Sequence, residues 1–244
     1  MNTVVASRSA WHVGVVVPAC NEGQSIEACI DSIVDSLDVC ASVDSSWIVV
    51  VADSCRDDTA ARARAFLGAR GEVVECGVAS PGVARRLGSA RVLEHFGPAH
   101  AGRLWLANTD ADSAVSEEWV ARQLEFADQG FTAVAGIVRV DSAESQRPDV
   151  IRALMQDYTL NEDGTHPHVH GANLGFRADA YVDAGGWSSL ALAEDHCLWG
   201  RVRARGWRVV SSIASVVVTS DRLQGRARGG FADTLRLKME ALYA

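Results

Sequence analysis

Residues 12–37 read HVGVVVPACNEGQSIEACIDSIVDSL, and this stretch decides the fold. Residues 12–17 form a β-branched apolar run, which predicts a strand buried on both faces and stopped at Pro18. Apolar residues then recur at intervals of three and four from Ile26 to Leu37, which predicts a helix with one buried face. A buried strand followed by such a helix is the first half of a right-handed parallel βαβ unit.

The alternation of strand and helix continues along the chain. We predict further strands at residues 47–52, 72–76, 104–107, 131–140 and 209–218, and further helices at residues 59–67, 81–96, 150–158, 192–205 and 231–243. A chain of 244 residues with this pattern is expected to fold as one α/β domain. Its central sheet is expected to be mostly parallel and flanked by helices.

Composition excludes several classes of protein. The net charge of -8 disfavours a nucleic acid or an anionic membrane as the main partner, although Arg222, Arg226 and Arg228 could meet a phosphorylated ligand. The six cysteines include no C-x-x-C pair, so we expect free thiols in a reducing cytoplasm. No signal-peptide pattern is present, and no stretch approaches the roughly 20 apolar residues that span a bilayer. We therefore expect a cytoplasmic protein without an integral membrane segment.

Four polar motifs follow predicted strands. They read VPACNEG at residues 17–23, ADSCRDDT at 52–59, NTDAD at 108–112 and AED at 193–195. In open α/β sheets, ligands bind at the carboxyl ends of the strands, which is where these motifs are predicted to lie. With its motifs in this order, the sequence resembles the family 2 glycosyltransferases of the GT-A (Rossmann-like) fold, from residue 13 to about residue 222.

The resemblance implies a metal-dependent, inverting hexosyltransferase that takes a sugar from a nucleotide diphosphate sugar, with a UDP-sugar favoured, and gives it to a hydroxyl acceptor. It implies a nucleotide-binding half at about residues 12–112 and an acceptor-side half at about 113–244 of a single domain. The Gln-x-x-Arg-Trp motif of processive synthases is missing, because Gln224 is followed by Gly-Arg-Ala-Arg. A non-processive enzyme is therefore expected, and its acceptor, a small molecule, glycan or lipid, stays open.

The two aspartates of NTDAD are candidate metal ligands. Carboxylates one residue apart in a turn can converge on a Mn²⁺ or Mg²⁺ ion that bridges diphosphate oxygens. A D-x-D pair alone is more often a surface loop, and its place behind a buried strand carries the prediction. The resemblance implies that Asp112 binds the metal, that Asp110 contacts the ribose or a metal-bound water, and that Ala111 lies beside the nucleotide. Many relatives carry a histidine ligand near residues 219–222; none stands here, so Asp221 or a water would have to substitute.

The resemblance assigns base and ribose recognition to residues of the first two motifs. Asp53 would accept the N3 proton of a uracil ring, and Pro18, Ala19 and Glu22 would frame the base and ribose. The alternative for Asp53 is a cap on the helix that follows it, which is a common role for aspartate.

The resemblance implies that the segment PGVARRLG, residues 81–88, lies near the diphosphate, because related sequences carry a similar Gly-x-x-x-Arg segment there. A helix amino terminus together with a guanidinium group makes a competent phosphate site. Gly82 and Arg85 are the candidates, and the sequence does not rank Arg85 securely above Arg86.

Glu194 and Asp195 are the candidate catalytic acids. Inverting transfer needs a general base that takes the proton of the acceptor hydroxyl, and a carboxylate commonly does this. The resemblance implies that Asp195 is this base and that Glu194 binds the acceptor or the donor sugar. The alternative is a pair of acids that only stabilises the start of a helix.

The segment HPHVHGAN, residues 166–173, offers two interpretations. Extended chain would place His166, His168 and His170 on one side, where they could ligate zinc in a metal hydrolase. The resemblance instead implies that His170 and Asn173 line the donor-sugar or acceptor pocket. Trp187 could stack on a sugar or belong to the core.

Two further alternatives concern the whole chain. The fold could serve as a catalytically idle module that binds a nucleotide sugar or a partner, since fold alone does not give activity. The predicted helix at residues 231–243 could pack at a homodimer interface instead of on its own domain.

Overall fold

The computed structural model describes residues 10–140, 148–156, 158–190, 192–222, 236–237 and 239–240. Its strands are β1 Trp11–Ala19, β2 Val43–Asp53, β3 Gly71–Cys76, β4 Leu104–Asn108, β5 Ser113–Val115, β6 Ala133–Val140, β7 Leu174–Arg177 and β8 Val209–Thr219. Its helices are α1 Ile26–Val39, α2 Thr59–Leu67, α3 Pro81–Phe96, α4 Trp119–Asp128, α5 Pro148–Gln156, α6 Ala178–Asp183 and α7 Glu194–Ala204.

Within these residues the strands form one eight-stranded sheet in the order β3-β2-β1-β4-β7-β6-β8-β5. The pairs β1–β2, β1–β4, β2–β3 and β6–β8 are parallel, and β4–β7, β6–β7 and β5–β8 are antiparallel. Two antiparallel steps at β7 cancel, so β6 and β8 run in the same direction as β1 and β4. The carboxyl ends of β1, β2, β4 and β8 therefore open on the same edge of the sheet.

Helices cover both faces of the sheet, as the α/β prediction requires. Val15 and Val17 of β1 pack in a buried cluster with residues of α1, α2 and α4. Val16 points the other way and packs in a second cluster with residues of α3, α6 and α7. This arrangement explains why β1 reads as a continuous apolar run.

The first strand corrects one expectation. β1 does not stop at Pro18 but continues to Ala19, with Pro18 in register with Val51 of β2. Pairing of β1 with β4 ends at Val16, so Pro18 has a neighbouring strand on one side only. A missing backbone N–H group is tolerated at such a position.

The second half of the chain differs more from expectation. β5, β7 and α6 were not predicted as separate elements, and residues 209–218 form one strand whose pairing with β6 shifts register between Gly136 and Ile137. Apart from four helical residues at 236–237 and 239–240, the predicted helix 231–243 lies outside the described residues, as do Gln224, Arg226 and Arg228.

All six cysteines are free thiols, as expected. Among the described residues, no helix combines the length and the apolar character needed to cross a membrane.

Candidate functional site

Strained loops mark one edge of the sheet. Among the described residues, the non-glycine residues with positive φ are Asn21 (54°), Ser54 (58°), Ala79 (50°) and Ala193 (58°). Each adjoins a motif singled out in the sequence, and a left-handed conformation costs a non-glycine residue roughly 1–2 kcal/mol. Backbone strain of this kind concentrates where loops are held for function. Sequence patterns gave no sign of it.

Asp53, the last residue of β2, clamps the loop that leads into α3. Its Oδ1 accepts hydrogen bonds from the backbone N–H groups of Val78 (2.8 Å) and Ala79 (2.9 Å), and its Oδ2 accepts one from Ser80 (2.9 Å). Burial raises the pKa of this carboxyl, but the backbone donors outweigh burial and the pKa is lowered overall. Asp53 does not cap the next helix, because α2 starts at Thr59 with Asp58 at its N-cap.

The residues expected to frame the base and ribose lie at the end of β1. Pro18 and Ala19 are its last two residues, and Glu22 follows in the loop before α1. The backbone N–H of Glu22 donates to Oγ of Thr59 at 2.8 Å, which fastens this loop to α2. Base recognition by these residues stays a prediction.

Arg85 joins the two acidic motifs. Its Nη2 donates to Oδ1 of Asp110 at 2.6 Å, and its Nη1 donates to Oε1 of Glu194 at 2.5 Å. Arg85 is only 4% exposed, so this pair of contacts is buried. The motifs NTDAD and AED, more than 80 residues apart in sequence, therefore meet at a single guanidinium group. Contact of Arg85 with a diphosphate stays a prediction.

Small residues make room for Arg85 and Glu194. A Cβ atom at Gly171 would lie 2.6 Å from Cζ of Arg85, and one at Gly82 would lie 2.6 Å from the carbonyl oxygen of Ser188. Cζ of Arg85 lies 5.4 Å from the ring centroid of Trp187. Trp187 is 2% exposed, which favours the core interpretation of this residue.

Asp112 is paired with groups that follow β8. Its Oδ2 accepts a hydrogen bond from Oγ of Ser220 at 3.0 Å and lies 3.0 Å from Nη2 of Arg222. Nη1 of Arg222 donates to Oε1 of Glu22 at 2.6 Å. Burial, then the charge of Asp110, raises the pKa of Asp112, while Arg222 and Ser220 act in the opposite direction. Ala111 is buried between the two aspartates.

Cys29 of α1 lies directly behind the D-x-D turn. Its Sγ donates to the backbone oxygen of Asp110 at 3.4 Å. Burial raises the pKa of this thiol, and the charges of Asp110, Asp112 and Glu22 raise it further. The side chains of these three acids therefore converge on one region.

Asp195 lies in the first turn of α7 beside Glu194. Oδ2 of Asp195 accepts a hydrogen bond from the backbone N–H of Gly171 at 3.0 Å, and Oδ1 accepts one from His196 at 2.7 Å. Asp195 is partly exposed, whereas Glu194 is buried; burial raises the pKa of Glu194 and Arg85 acts against it. The geometry leaves Asp195 open to a ligand and suits the helix-start alternative as well.

The three histidines lie on one side of the chain, as expected from their alternation. Neighbouring rings are stacked with centroids 5.9 Å apart. Tyr158 stacks on His168 at 3.8 Å, and its hydroxyl group is 2.8 Å from Nε2 of His170. Burial, followed by His168, lowers the pKa of His170 to about 4. In the described part of the chain, no group of three or more His, Cys, Asp or Glu side chains is arranged to hold a metal ion, either at the histidines or at the D-x-D turn.

Asn173 has a structural role. Its Nδ2 donates to the backbone oxygens of Ile137 (2.8 Å) and Ser215 (3.0 Å), and its Oδ1 accepts from Nε1 of Trp119 (2.9 Å) and Oγ of Ser215 (3.0 Å). These four bonds use the full capacity of a side-chain amide. Asn173 ties β6 to β8, and we do not retain it among the residues that would contact a sugar.

Sequence reasoning did not single out Tyr158, and it placed Gly171, Ser220 and Arg222 near the site only as parts of longer segments. Ser220 and Arg222 follow directly on β8, at the same edge as the other motifs. That position is a signal the sequence contains, since the strand at residues 209–218 was predicted.

Comparison with known proteins identifies the family of this chain. The glycosyl transferase family 2 model matches residues 14–184. A search of curated proteins found no match to the chain.

Several solved structures share the fold. The mannosyltransferase PcManGT from Pyrobaculum calidifontis, in complex with GDP-Man and Mn²⁺, is 18% identical, with a TM-score of 0.66 over 95% of this chain and 64% of that one. S. aureus TarS 1-349 with UDP-GlcNAc is 12% identical, with a TM-score of 0.64 over 95% of this chain and 65% of that one. Glucosyl-3-phosphoglycerate synthase from Mycobacterium tuberculosis, in complex with Mn²⁺, UDP and phosphoglyceric acid, is 19% identical, with a TM-score of 0.57 over 97% of this chain and 78% of that one.

The chain thus spans a little under two thirds of the length of the first two structures. At these identities the likeness establishes the fold, which is GT-A, and the family rests on the sequence model. That model covers three of the four motifs. The chain belongs to glycosyl transferase family 2.

Proposed function

We propose that the chain is an inverting, non-processive hexosyltransferase that moves a sugar from a UDP-sugar to a hydroxyl group of an acceptor. One observation carries the proposal: Arg85 holds Asp110 and Glu194 on a single guanidinium group. Acids assigned to the donor and acids assigned to the acceptor therefore lie next to each other. An idle binding module would have no need to keep both sets together.

Asp195 is the proposed general base. The acceptor oxygen forms a bond to the anomeric carbon while the bond from that carbon to the diphosphate oxygen breaks. The hydroxyl proton passes to Asp195, and the nucleoside diphosphate leaves with the bonding electron pair. Gly171 supports this role, because its N–H group fixes Oδ2 of Asp195. A single displacement of this kind inverts the anomeric centre.

Asp53 is the proposed reader of the base. Its pKa is lowered overall, so the side chain is an ionised acceptor at neutral pH. Among the described contacts, Oδ2 has one donor and Oδ1 has three, which leaves acceptor capacity on Oδ2. A carboxylate suits the ring N–H of uracil or guanine, which cytosine and adenine lack. Thymine has the same ring N–H as uracil, so this chemistry favours UDP, GDP or deoxythymidine diphosphate, and the resemblance favours UDP.

The D-x-D turn suits a divalent cation in its chemistry, because two carboxylates one residue apart supply the oxygen ligands that Mn²⁺ and Mg²⁺ take. Burial and then the charge of Asp110 raise the pKa of Asp112, although Arg222 offsets part of this effect. Asp112 and Asp110 are the proposed ligands of Mn²⁺ or Mg²⁺. Such an ion, when bound, offsets charge on the departing diphosphate. Two of the solved structures described above contain Mn²⁺.

Calorimetric titration of the protein with UDP, GDP and deoxythymidine diphosphate, each with Mn²⁺ and with EDTA, tests the donor half. We expect UDP to bind with Mn²⁺ and to bind more weakly in EDTA. Absence of binding by all three diphosphates under both conditions would refute the transferase. UDP-sugars are then screened for release of UDP in the presence of a panel of hydroxyl acceptors, and binding without release in any combination would instead support the idle module.

A further inference from the structure

Arg222 pairs with Asp112, which is one of the two proposed ligands of a divalent cation. The residue lies three positions beyond the end of β8. Its Nη2 lies 3.0 Å from Oδ2 of Asp112, and its Nη1 donates to Oε1 of Glu22 at 2.6 Å. The guanidinium group of Arg222 therefore neutralises the carboxylate of Asp112, which is also the proposed ligand of a divalent metal ion.

The setting makes this contact more than a surface ion pair. The side chains of Glu22 and Asp112 are only 8% and 12% exposed, and that of Arg222 is 29% exposed. Ion pairs at exposed positions contribute little, but charges held out of water interact strongly and are costly to leave unpaired. Ser220 also donates to Oδ2 of Asp112, which keeps this carboxylate oriented toward the loop after β8.

The two partners of Arg222 use different nitrogen atoms. Nη1 serves Glu22 and Nη2 serves Asp112, so the guanidinium can release Asp112 and still hold Glu22. Guanidinium groups pair with phosphate oxygens through strong charge-assisted hydrogen bonds. A diphosphate that reaches the D-x-D turn brings such oxygens to the place where Nη2 stands.

We infer that Arg222 is an exchangeable counter-ion: it holds Asp112 in the free protein, gives Asp112 up to a divalent cation, and then binds the diphosphate. In the free protein the guanidinium competes with the cation for one carboxylate, since two cations cannot share the same oxygen without repulsion. With the nucleotide present, Arg222 and the cation act on the same diphosphate. Arg222 thereby makes cation binding depend on the donor. Its contact with a diphosphate rests on the nucleotide binding proposed above, whereas its competition with the cation rests only on the metal site proposed at Asp112.

The test is Mn²⁺ binding to wild type and to Arg222→Gln without nucleotide, followed through the electron paramagnetic resonance signal of free Mn²⁺. We expect Arg222→Gln to bind Mn²⁺ about tenfold more tightly, because Asp112 and Glu22 lose their built-in cation. We expect the same variant to bind UDP about tenfold more weakly at saturating Mn²⁺, because a phosphate contact is lost. Opposite changes in the two affinities are the signature of exchange.

Two further variants are matched controls. Arg122→Gln removes an exposed arginine of α4 that pairs with Glu118 and Glu125, and it should change neither affinity. Arg222→Lys keeps the charge, and its nucleotide-free Mn²⁺ affinity should stay within about twofold of wild type.

An unchanged or weaker Mn²⁺ affinity in Arg222→Gln would overturn the competition. A gain in Arg222→Lys equal to that in Arg222→Gln would also overturn it. A gain of Mn²⁺ affinity with unchanged UDP affinity would overturn the diphosphate contact. If wild type binds no UDP, the proposed function fails, while the nucleotide-free titration still decides whether Arg222 competes with the cation.

Discussion

Two carboxylates, Asp112 and Asp195, carry separate steps in the proposed reaction, and their surroundings differ accordingly. Asp112 is enclosed by Ser220 and Arg222, whereas Asp195 is partly exposed and is fixed by backbone N–H groups. A residue that binds the donor and a residue that accepts a proton should fail in different ways when changed.

Asp195→Asn is expected to lower transfer by about 10²–10⁴-fold, because the amide cannot take the acceptor proton. Its affinity for UDP should stay unchanged. Asp112→Asn should instead weaken UDP binding in the presence of Mn²⁺. Calorimetry and release of UDP from the donor measure the two properties. Asp35→Asn, an exposed aspartate of α1, is the control, and equal loss of both properties in both site variants would contradict these roles.

His170 gives the free energy of unfolding a pH dependence. Its pKa is lowered from 6.5 to about 4, mainly by burial. Between these values the unfolded chain binds the proton more readily than the folded chain, so stability present above pH 6.5 is lost as the pH falls toward 4. The loss attributable to His170 is at most about 3 kcal/mol. Urea unfolding from pH 7.5 to pH 4.5 should show a shallower dependence in His170→Gln, and equal slopes would contradict the assignment.

At the scale of elements, the short segments that aim the site are the ones that sequence patterns do not reveal. The bounds of α2 and α3 match the prediction, because an apolar stripe in one and Pro81 at the start of the other are local signals. β7 spans only four residues, and its partner β4 lies about 70 residues earlier in the chain. Four residues are too few to show a periodic pattern, and pairing with a strand so far away in sequence has no local signal.

Gly171 and Gly200 are two glycines that differ in the space around them, one at the site and one in α7. A Cβ atom at Gly171 would meet the guanidinium of Arg85 at 2.6 Å, whereas nothing lies within 4 Å of one at Gly200 in α7. Gly171→Ala is expected to destabilise the fold by about 1–3 kcal/mol and to reduce transfer, because Arg85 must leave Asp110 or Glu194. Gly200→Ala should stabilise the fold by about 0.5–1 kcal/mol without affecting transfer. Thermal unfolding and UDP release measure both, and similar effects of the two changes would contradict this account of the site.

For the whole molecule, the alternation of strands and helices and the order of the motifs along the chain were predictable, whereas side-chain pairing was not. Buried apolar runs with acids behind them indicate which edge of the sheet binds a ligand, because the ends of parallel strands are brought together by topology. No local pattern could indicate that Arg85 would serve Asp110 and Glu194, or that Arg222 would serve Asp112 and Glu22. These pairings depend on loops that meet only after the sheet has formed.

UDP with Mn²⁺ should stabilise the entire domain, since the loops that would bind it come from both halves of the chain. At a ligand concentration 100 times the dissociation constant, linkage adds about 2.7 kcal/mol. For a domain of this size the Tm should rise by about 5–10 °C. Differential scanning fluorimetry measures the shift, with Asp112→Asn as the control that should lose most of it. An equal shift in that variant would argue against the proposed donor site.

The rate at which the Cys29 thiol is alkylated reports movement of the D-x-D turn. Because its thiol is buried and its pKa is raised, alkylating reagents can reach and react with it only when α1 and the turn separate. The half-life of this one thiol, followed by mass spectrometry, therefore reports how often α1 and the D-x-D turn separate in the absence of a ligand. A donor that closes the cleft should lengthen that half-life before any product is formed.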